Sequence, residues 1–440
     1  MPLPSRTLLW LLAALGAAGI AVSIVPELQA QWIVAAAALA AAALADLVAG
    51  LRLAAPEVAR LLPATLALGV PLEVRLRVQN ASRGAIVAEL YDHFPQSFEC
   101  RGLPRRVALA PRSWTELSYE ARPLARGEAR FAPAEMRLFS PLRLWQVTRH
   151  AGAPSRVRVY PNFQALARYT LLATDNRLSQ IGVLQVRRRG EGMEFHQLRE
   201  YRQGDAPRAI DWKATARSGR LISREYEDEK DQRVLLVVDC GRRMAAKDDA
   251  PDGDRLSHFD HTLNAALLLA HVALRQGDAV GMLTMGGVSR YCEPRKSIGA
   301  LHALLNHAYD IEPTLAVPDY ERAASEVMLR LRRRALVIVL TNLRDEDDAA
   351  LLPALKLLRA RHLVVLASLR EAILSRALTA RVDSFERAVI HAAAADYLEN
   401  RERAFRRIEN TGAITLDVEP ERLPIALVNR YLGLKREGRL

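Results

Sequence analysis

The residues with the clearest chemical potential form a short stretch, Asp239-Cys-Gly-Arg-Arg-Met244, directly after the apolar run Val234 to Val238. A continuous apolar run of that length is expected of a central parallel strand buried on both faces. Ligands of such sheets bind at the C-terminal strand ends, so Asp239 stands where a polar group can meet one. Other candidates are weaker. Asp248, Asp249, Asp252 and Asp254 have some of the spacing of a calcium loop but lack its terminal Glu, and read as a solvated loop. His258 and His261 have no accompanying H-E-x-x-H and read as a cap or surface pair. Gly281 to Gly287 lacks the Gly-Lys-Ser/Thr ending of a phosphate loop, and no G-x-S-x-G elbow occurs. No Ser/His/Asp or Cys/His constellation stands out, so a non-enzyme is expected. The cysteines Cys100, Cys240 and Cys292 are widely spaced and odd in number, which suits reduced thiols in a cytosol.

A second constellation precedes the apolar run: Arg199, Tyr201, Arg202, Asp205, Arg208, Asp211, Trp212 and Lys213. Gly204-Asp205 and Pro207 predict a loop over 201–208, which Asp211-Trp212-Lys213 would pin by burying the indole and pairing charges. These residues form a candidate binding site that fixes the loop against the following domain. In the alternative, Trp212 is a buried anchor and the charges are its hydrogen-bonded collar.

The elements that would position these residues follow from periodicity. Strands at 234–238, 279–285, 335–340 and 362–369 alternate with helices at 259–276, 300–307, 320–333 and 349–361. Such alternation indicates right-handed βαβ units and a doubly wound parallel sheet. Upstream, period-two patterning in Leu72 to Val78 recurs in short runs at 86–91, 105–109, 115–121, 129–131 and 156–160, as in a small antiparallel β-sandwich. At the start, 7–25 and 31–51 are apolar runs separated by Pro26-Glu-Leu-Gln-Ala30, long enough for a transmembrane hairpin. The second carries one carboxylate, Asp46. Arg6 before the hairpin and Arg52 and Arg60 after it, against Glu27 in the connection, place both ends in the cytoplasm of an inner-membrane protein. The expected organisation is hairpin 1–52, β-sandwich 56–161, signature segment 190–233, α/β domain 234–375 and a C-terminal helical and strand extension 376–440.

With these motifs in view, the chain resembles the bacterial proteins of domain of unknown function 58. The resemblance rests on EFHQLREYRQGDAPRAIDWKATAR, DCGRRM, RRRALVIVLTN and the closing LVNRYLGLKREGRL. It implies a von Willebrand A-like domain and a setting beside MoxR-type AAA+ ATPases. A metal-binding domain of that kind places Asp-x-Ser-x-Ser after its first strand, a Thr in a second loop and a later Asp, giving hard oxygen ligands to a divalent cation. Here Asp239 matches the first Asp, but Gly241 and Arg243 stand at the serine positions. Asn342 replaces the later Asp, and the second loop offers Thr314 or Asp319. The site is therefore degenerate, with Asp239, Asp319 and Asn342 as the possible ligands. No cofactor is expected, and Asp239 is expected to pair with a nearby arginine in a metal-independent docking loop.

The 62 Lys and Arg against 50 Asp and Glu leave a net charge of +12, but aromatics are 6% and no stacking-rich basic stretch occurs, so nucleic acid is not the expected partner. The reading that results is a membrane-anchored adaptor or scaffold working with a MoxR-type ATPase on protein complexes. The alternatives are an envelope-related hydrolase and a nucleic-acid-binding membrane protein.

Overall fold

The computed structural model describes residues 2–162, 194–202, 209–227, 232–247, 256–344 and 347–440. It divides into two compact units, 1–160 and 161–440.

The first unit begins with strand β1 (Pro2–Pro4) and helices α1 (Arg6–Ile24) and α2 (Gln29–Leu51), both long and apolar enough to cross a membrane. Ser5 caps α1 by accepting the Leu8 N–H at 3.3 Å. The two helices touch where the Trp32 indole donates to the Leu15 carbonyl at 3.0 Å. Gly19 makes room, since a Cβ there would lie 3.2 Å from that ring. Then follow β2 (Glu57–Leu61), β3 (Thr65–Ala67), β4 (Leu72–Gln79), β5 (Ile86–Tyr91), β6 (Phe98–Arg101) and β7 (Arg105–Leu109). The rest are β8 (Trp114–Pro123), β9 (Gly127–Phe131), β10 (Ala134–Phe139), β11 (Trp145–Ala151) and β12 (Ser155–Tyr160). They form sheets β1-β11-β10-β5-β7, β2-β4-β8-β6 and β3-β12-β9, antiparallel except for β3 with β12. In β4 the period-two pattern turns Val74, Leu76 and Val78 into the core and leaves Arg75 and Arg77 outside.

Two charged residues behave differently from expectation. Arg60, read above as a cation flanking the membrane, is buried: its guanidinium meets the fully buried Asp92 (Nε to Oδ2, 3.0 Å), which also accepts the Tyr119 hydroxyl at 2.7 Å. It therefore marks the β core, and only Arg6 and Arg52 remain as exposed flanking cations. Asp46, inside the second apolar run, faces the β10–β11 turn. Its carboxylate accepts Ser140 Oγ at 2.5 Å, Leu142 N at 2.8 Å and Leu144 N at 3.1 Å.

In the second unit β13 (Glu194–Glu200) and β14 (Ile222–Glu227) form an antiparallel pair flanking α3 (Trp212–Ser218); the loop expected over 201–208 lies mostly outside the described residues. The α/β part runs β15 (Arg233–Asp239), α4 (His258–Arg275), β16 (Ala279–Met285), β17 (Tyr291–Arg295), α5 (Ile298–Ala308) and α6 (Tyr320–Arg330). It continues with β18 (Leu336–Thr341), α7 (Asp348–Arg359), β19 (Leu363–Leu369), α8 (Ala372–Thr379), α9 (Phe385–Asn410), β20 (Ile414–Val418) and α10 (Leu423–Arg436). The sheet order is β17-β16-β15-β18-β19-β20, parallel except at β17. Val234, Leu236 and Val238 pack towards α4, α5 and α10, while Leu235 and Val237 pack towards α6, α7 and α9.

The stretch 376–440 is thus part of this domain and no appendage. β20 pairs in parallel with β19, and α10 covers one sheet face. The closing motif has a packing reason: Tyr431 donates its hydroxyl to the buried Asp278, and Lys435 Nζ sits 2.9 Å from both oxygens of that carboxylate.

His362, at the start of β19, is buried with neither ring nitrogen hydrogen-bonded. Burial, helped by the neighbouring Arg361 charge, pulls its pKa down to about 4 from 6.5. A depressed histidine contributes stability that is in place above the unfolded value and is lost as pH falls through the folded one. His362→Leu is therefore expected to move the acid unfolding midpoint to lower pH, within the window from 6.5 to about 4. A pH titration followed by circular dichroism checks this, and an unchanged midpoint contradicts it.

Candidate functional site at the strand ends

The order of strands reverses at β15: the chain steps to β16 on one side and to β18 on the other. Loops diverge at such a point, which opens a place for polar groups beyond the strand ends. Asp239, the last residue of β15, lies there. Its Oδ1 accepts the Gly241 N–H at 2.7 Å and its Oδ2 accepts the Thr341 hydroxyl at 2.6 Å. Because Thr341 gives its proton to Asp239, the Tyr320 hydroxyl, 3.0 Å away, donates to Thr341. Burial raises the Asp239 pKa, opposed by these two hydrogen bonds and by the Arg243 charge.

Three loops are braced around this carboxylate. Thr314 N donates to Cys240 O at 2.8 Å, Arg242 N to Ala316 O at 3.0 Å, and Thr314 Oγ1 to Gly286 O at 2.6 Å. The approach is close enough to demand glycine twice. At Gly286, where φ is +77°, a Cβ would stand 2.7 Å from Asp239 Oδ1, and at Gly241 it would stand 2.8 Å from Ala316 O.

Arg243 does not pair directly with Asp239, as the sequence suggested. Its guanidinium bonds the Asp347 carboxylate, both side chains being buried, and lies 3.4 Å from Asn342 O. Asn342 turns its amide nitrogen to Glu371 Oε1 at 2.9 Å and stands 3.5 Å from His258 Nδ1. His258 is fully buried in the first turn of α4, which corrects its reading as a cap or surface residue; Ser257 is the cap. Burial pushes Glu371 up, but the Asn342 amide, its own backbone and the Arg401 and Arg344 charges leave its pKa below the usual value. Asn342 Oδ1 and Glu371 Oε2 are buried acceptors with no hydrogen-bond partner among the described residues.

Two of the possible metal ligands have other partners. Both Asp239 oxygens are engaged as above, and Asp319 is spent on the N-terminus of α6, accepting Arg322 N at 2.9 Å. Among the described residues no three His, Cys, Asp or Glu side chains are grouped to hold an ion. Thr314, the alternative in the second loop, uses its hydroxyl to brace Gly286.

In the signature segment, Asp211 caps α3 by accepting Ala214 N at 2.9 Å and pairs with Arg224 at 2.8 Å, and these bonds hold its pKa down. Trp212 is 68% exposed, so neither the pinned nor the buried-anchor reading of its indole holds. Lys213 and Arg202 are also exposed, Tyr201 N bonds Leu221 O at 2.9 Å, and Arg199 reaches Glu200 O at 3.1 Å. Asp205 and Arg208 lie outside the described residues, as does the acidic loop Asp248 to Asp254.

Sequence reasoning missed the apolar rim of the site. Leu315 is 90% exposed, Val317 60% and Val288 55%. They ride on the two loops bonded to the Asp239 loop. The signal was an apolar triplet, Leu315-Ala-Val317, between Pro313 and Pro318 and outside any periodic element.

Fold and site together define an α/β protein with a braced polar cluster at its strand ends and two apolar helices at its start. Residues 197–401 match the family described as Protein of unknown function DUF58, and this part of the chain is a DUF58 domain. Uncharacterized protein YeaD of Bacillus subtilis (strain 168) is 23% identical over 321 residues, which are 70% of this chain and 74% of that protein. Among solved structures, Escherichia coli alpha-2-macroglobulin activated by porcine elastase is similar over 24% of this chain and 9% of its own, at 16% identity and a TM-score of 0.19. A FixG-related protein from Vibrio parahaemolyticus is similar over 24% of this chain and 97% of its own, at 10% identity and a TM-score of 0.18.

Proposed function

We propose that this chain is a non-catalytic adaptor anchored in the bacterial inner membrane, with its folded parts in the cytoplasm and a doubly wound, von Willebrand A-like domain as its docking head. The partner that its resemblance suggests is a MoxR-type AAA+ ATPase. One observation carries the reading: Leu315, Val317 and Val288 stand exposed on loops whose backbones are tied to the Asp239 loop. Apolar side chains on a rigid frame are suited to association, because little ordering entropy is lost on binding. Arg243 stands beside this loop as a buried ion pair with Asp347, so the face needs no bound cation to balance its charge.

The test is capture of a purified MoxR-type ATPase from the same organism by the full-length chain in mild detergent. The double substitution Leu315→Asp and Val317→Asp is expected to weaken capture by about tenfold or more, the scale of a central interface residue. Both side chains are exposed, so thermal unfolding should hardly move. Equal capture by the variant, or none by the unaltered chain, overturns the reading.

A further inference from the structure

We propose that the end of the β region from which both apolar helices emerge is a binding surface for anionic phospholipid headgroups. The proposal rests on the reading that α1 and α2 span a membrane.

Asp46 sets the depth. A carboxylate in hydrocarbon is expensive, yet this one is buried under three hydrogen-bond donors of the β10–β11 turn. Trp145 Nε1 holds Ala43 O at 2.8 Å beside it, and Arg149 reaches Leu51 O at 2.9 Å. The last five residues of α2 therefore rise alongside β11, and the crossing part ends near Asp46. That leaves 29–46, nearly equal in length to Arg6–Ile24, at roughly 27 Å by the helix rise. Ser5 N, at the head of α1, bonds Leu144 O at 2.8 Å, so both helices leave at the level of this turn.

Strand register brings two more loops to the same level. β10 runs towards the turn with Leu138 opposite Ala88, which puts Ile86 and the Asn80–Gly84 turn there. Ile86 pairs with Leu109, which adds residues 110–113. The two loops are joined: Asn80 N donates to Ser113 O at 2.8 Å, Arg112 N to Ser82 O at 3.1 Å, and Asn80 Nδ2 to Ala110 O at 3.0 Å. Each loop carries one exposed arginine, Arg83, Arg112 and Arg143, and Arg6 heads α1. None of the four is paired with a carboxylate among the described residues; the exposed acids that the register brings near are Glu57 and Glu116, the latter already paired with Arg75 and Arg77. Leu142, 59% exposed at the turn tip, and the exposed Trp114 supply the apolar and aromatic groups that settle at a lipid interface. Cations over an apolar wedge, at the depth fixed by Asp46, match a layer of phosphates above acyl chains.

The test uses the full-length chain in nanodiscs of phosphatidylcholine alone and in discs one-third phosphatidylglycerol, with amide hydrogen exchange of 80–85, 110–114 and 140–144 followed by mass spectrometry. Anionic discs are expected to slow exchange in these loops by about fivefold, the scale of one cation at a charged surface. High salt should erase the difference, as should Arg83→Gln, Arg112→Gln and Arg143→Gln together. If that variant unfolds, the comparison of lipids with the unaltered chain decides alone. Equal exchange in both lipids overturns the proposal. Carbonate washing of native membranes separates the premise: a chain that stays in the pellet with lipid-indifferent loops fails only the headgroup proposal, whereas a chain that is stripped fails the spanning reading and the proposal with it.

Discussion

Arg401→Met is expected to cost the α/β domain about 3 to 5 kcal/mol, the range found when one partner of a buried charged network is removed. The side chain is 2% exposed. It bonds Leu343 O, Leu369 O at 2.7 Å, Ser368 Oγ at 2.8 Å and the Asp417 carboxylate at 2.9 Å, joining the ends of β18, β19 and β20. Methionine fills much of the volume but takes the guanidinium donors away from two carbonyls and a carboxylate, each of which then carries its own desolvation cost, while Ser368 Oγ keeps the Leu343 N–H at 2.9 Å. Asp417 is partly open to water, so its share is the smallest. Lysine should not rescue, because one ammonium cannot reach the groups that a planar fork spans. The measurement is urea unfolding of the detergent-solubilised chain, followed by hydrogen exchange in β18 and β19. A loss below about 1 kcal/mol, the scale of an ordinary hydrogen bond, would contradict it. The effect should reach the candidate site, since Leu343 adjoins Asn342 and the Arg401 charge helps to keep Glu371 ionised.

Parts of this architecture were legible because burial on both sheet faces leaves an unbroken apolar run. The runs at 234–238, 279–285 and 335–340 lie within one residue of β15, β16 and β18 at each end. Strands exposed on one face were harder. β11, Trp145–Ala151, turns only Val147 and Ala151 fully inward, and its polar positions hide the period. β17 was missed for the same reason, and β20 was seen but not as a member of the sheet, because parallel pairing across a long helix leaves no local trace.

The candidate site divides along the same line. Asp239 and Asn342 were visible because a polar residue ends an apolar strand. Their partners were not: Thr341 lies 102 positions from Asp239, and Asp347 lies 104 from Arg243. No spacing rule relates residues brought together by tertiary folding. Trp212 misled for a different reason. Tryptophan is buried often enough to be read as an anchor, yet here it stands exposed in the first turn of the helix that Asp211 caps.

Arg60 shows how the same residue type can carry two opposite messages, and its removal is the second large effect expected. Arg60→Met should destabilise the β region by about 3 to 5 kcal/mol, again the cost of leaving a buried charge without its partner. Asp92 is wholly buried, and besides Arg60 its carboxylate accepts the Tyr119 hydroxyl, whose own pKa is pushed up by burial and by that charge. Arg60 also bonds Ser155 Oγ at 2.9 Å and Ala132 O at 2.6 Å, and lies over the Phe131 ring, so it ties β2 to β9 and β12. Replacing both partners, Arg60→Met with Asp92→Leu, should recover much of the loss, because apolar side chains of similar volume often substitute for a buried ion pair. Thermal unfolding of the full chain with single and double variants checks this, and a double variant no better than the single would show that shape, not charge, holds the site. If membrane insertion and topology are then mapped, the Arg60 variant should insert as the unaltered chain does. Arg60 is enclosed by the β core, whereas Arg6 and Arg52, which flank the two apolar helices, stay exposed.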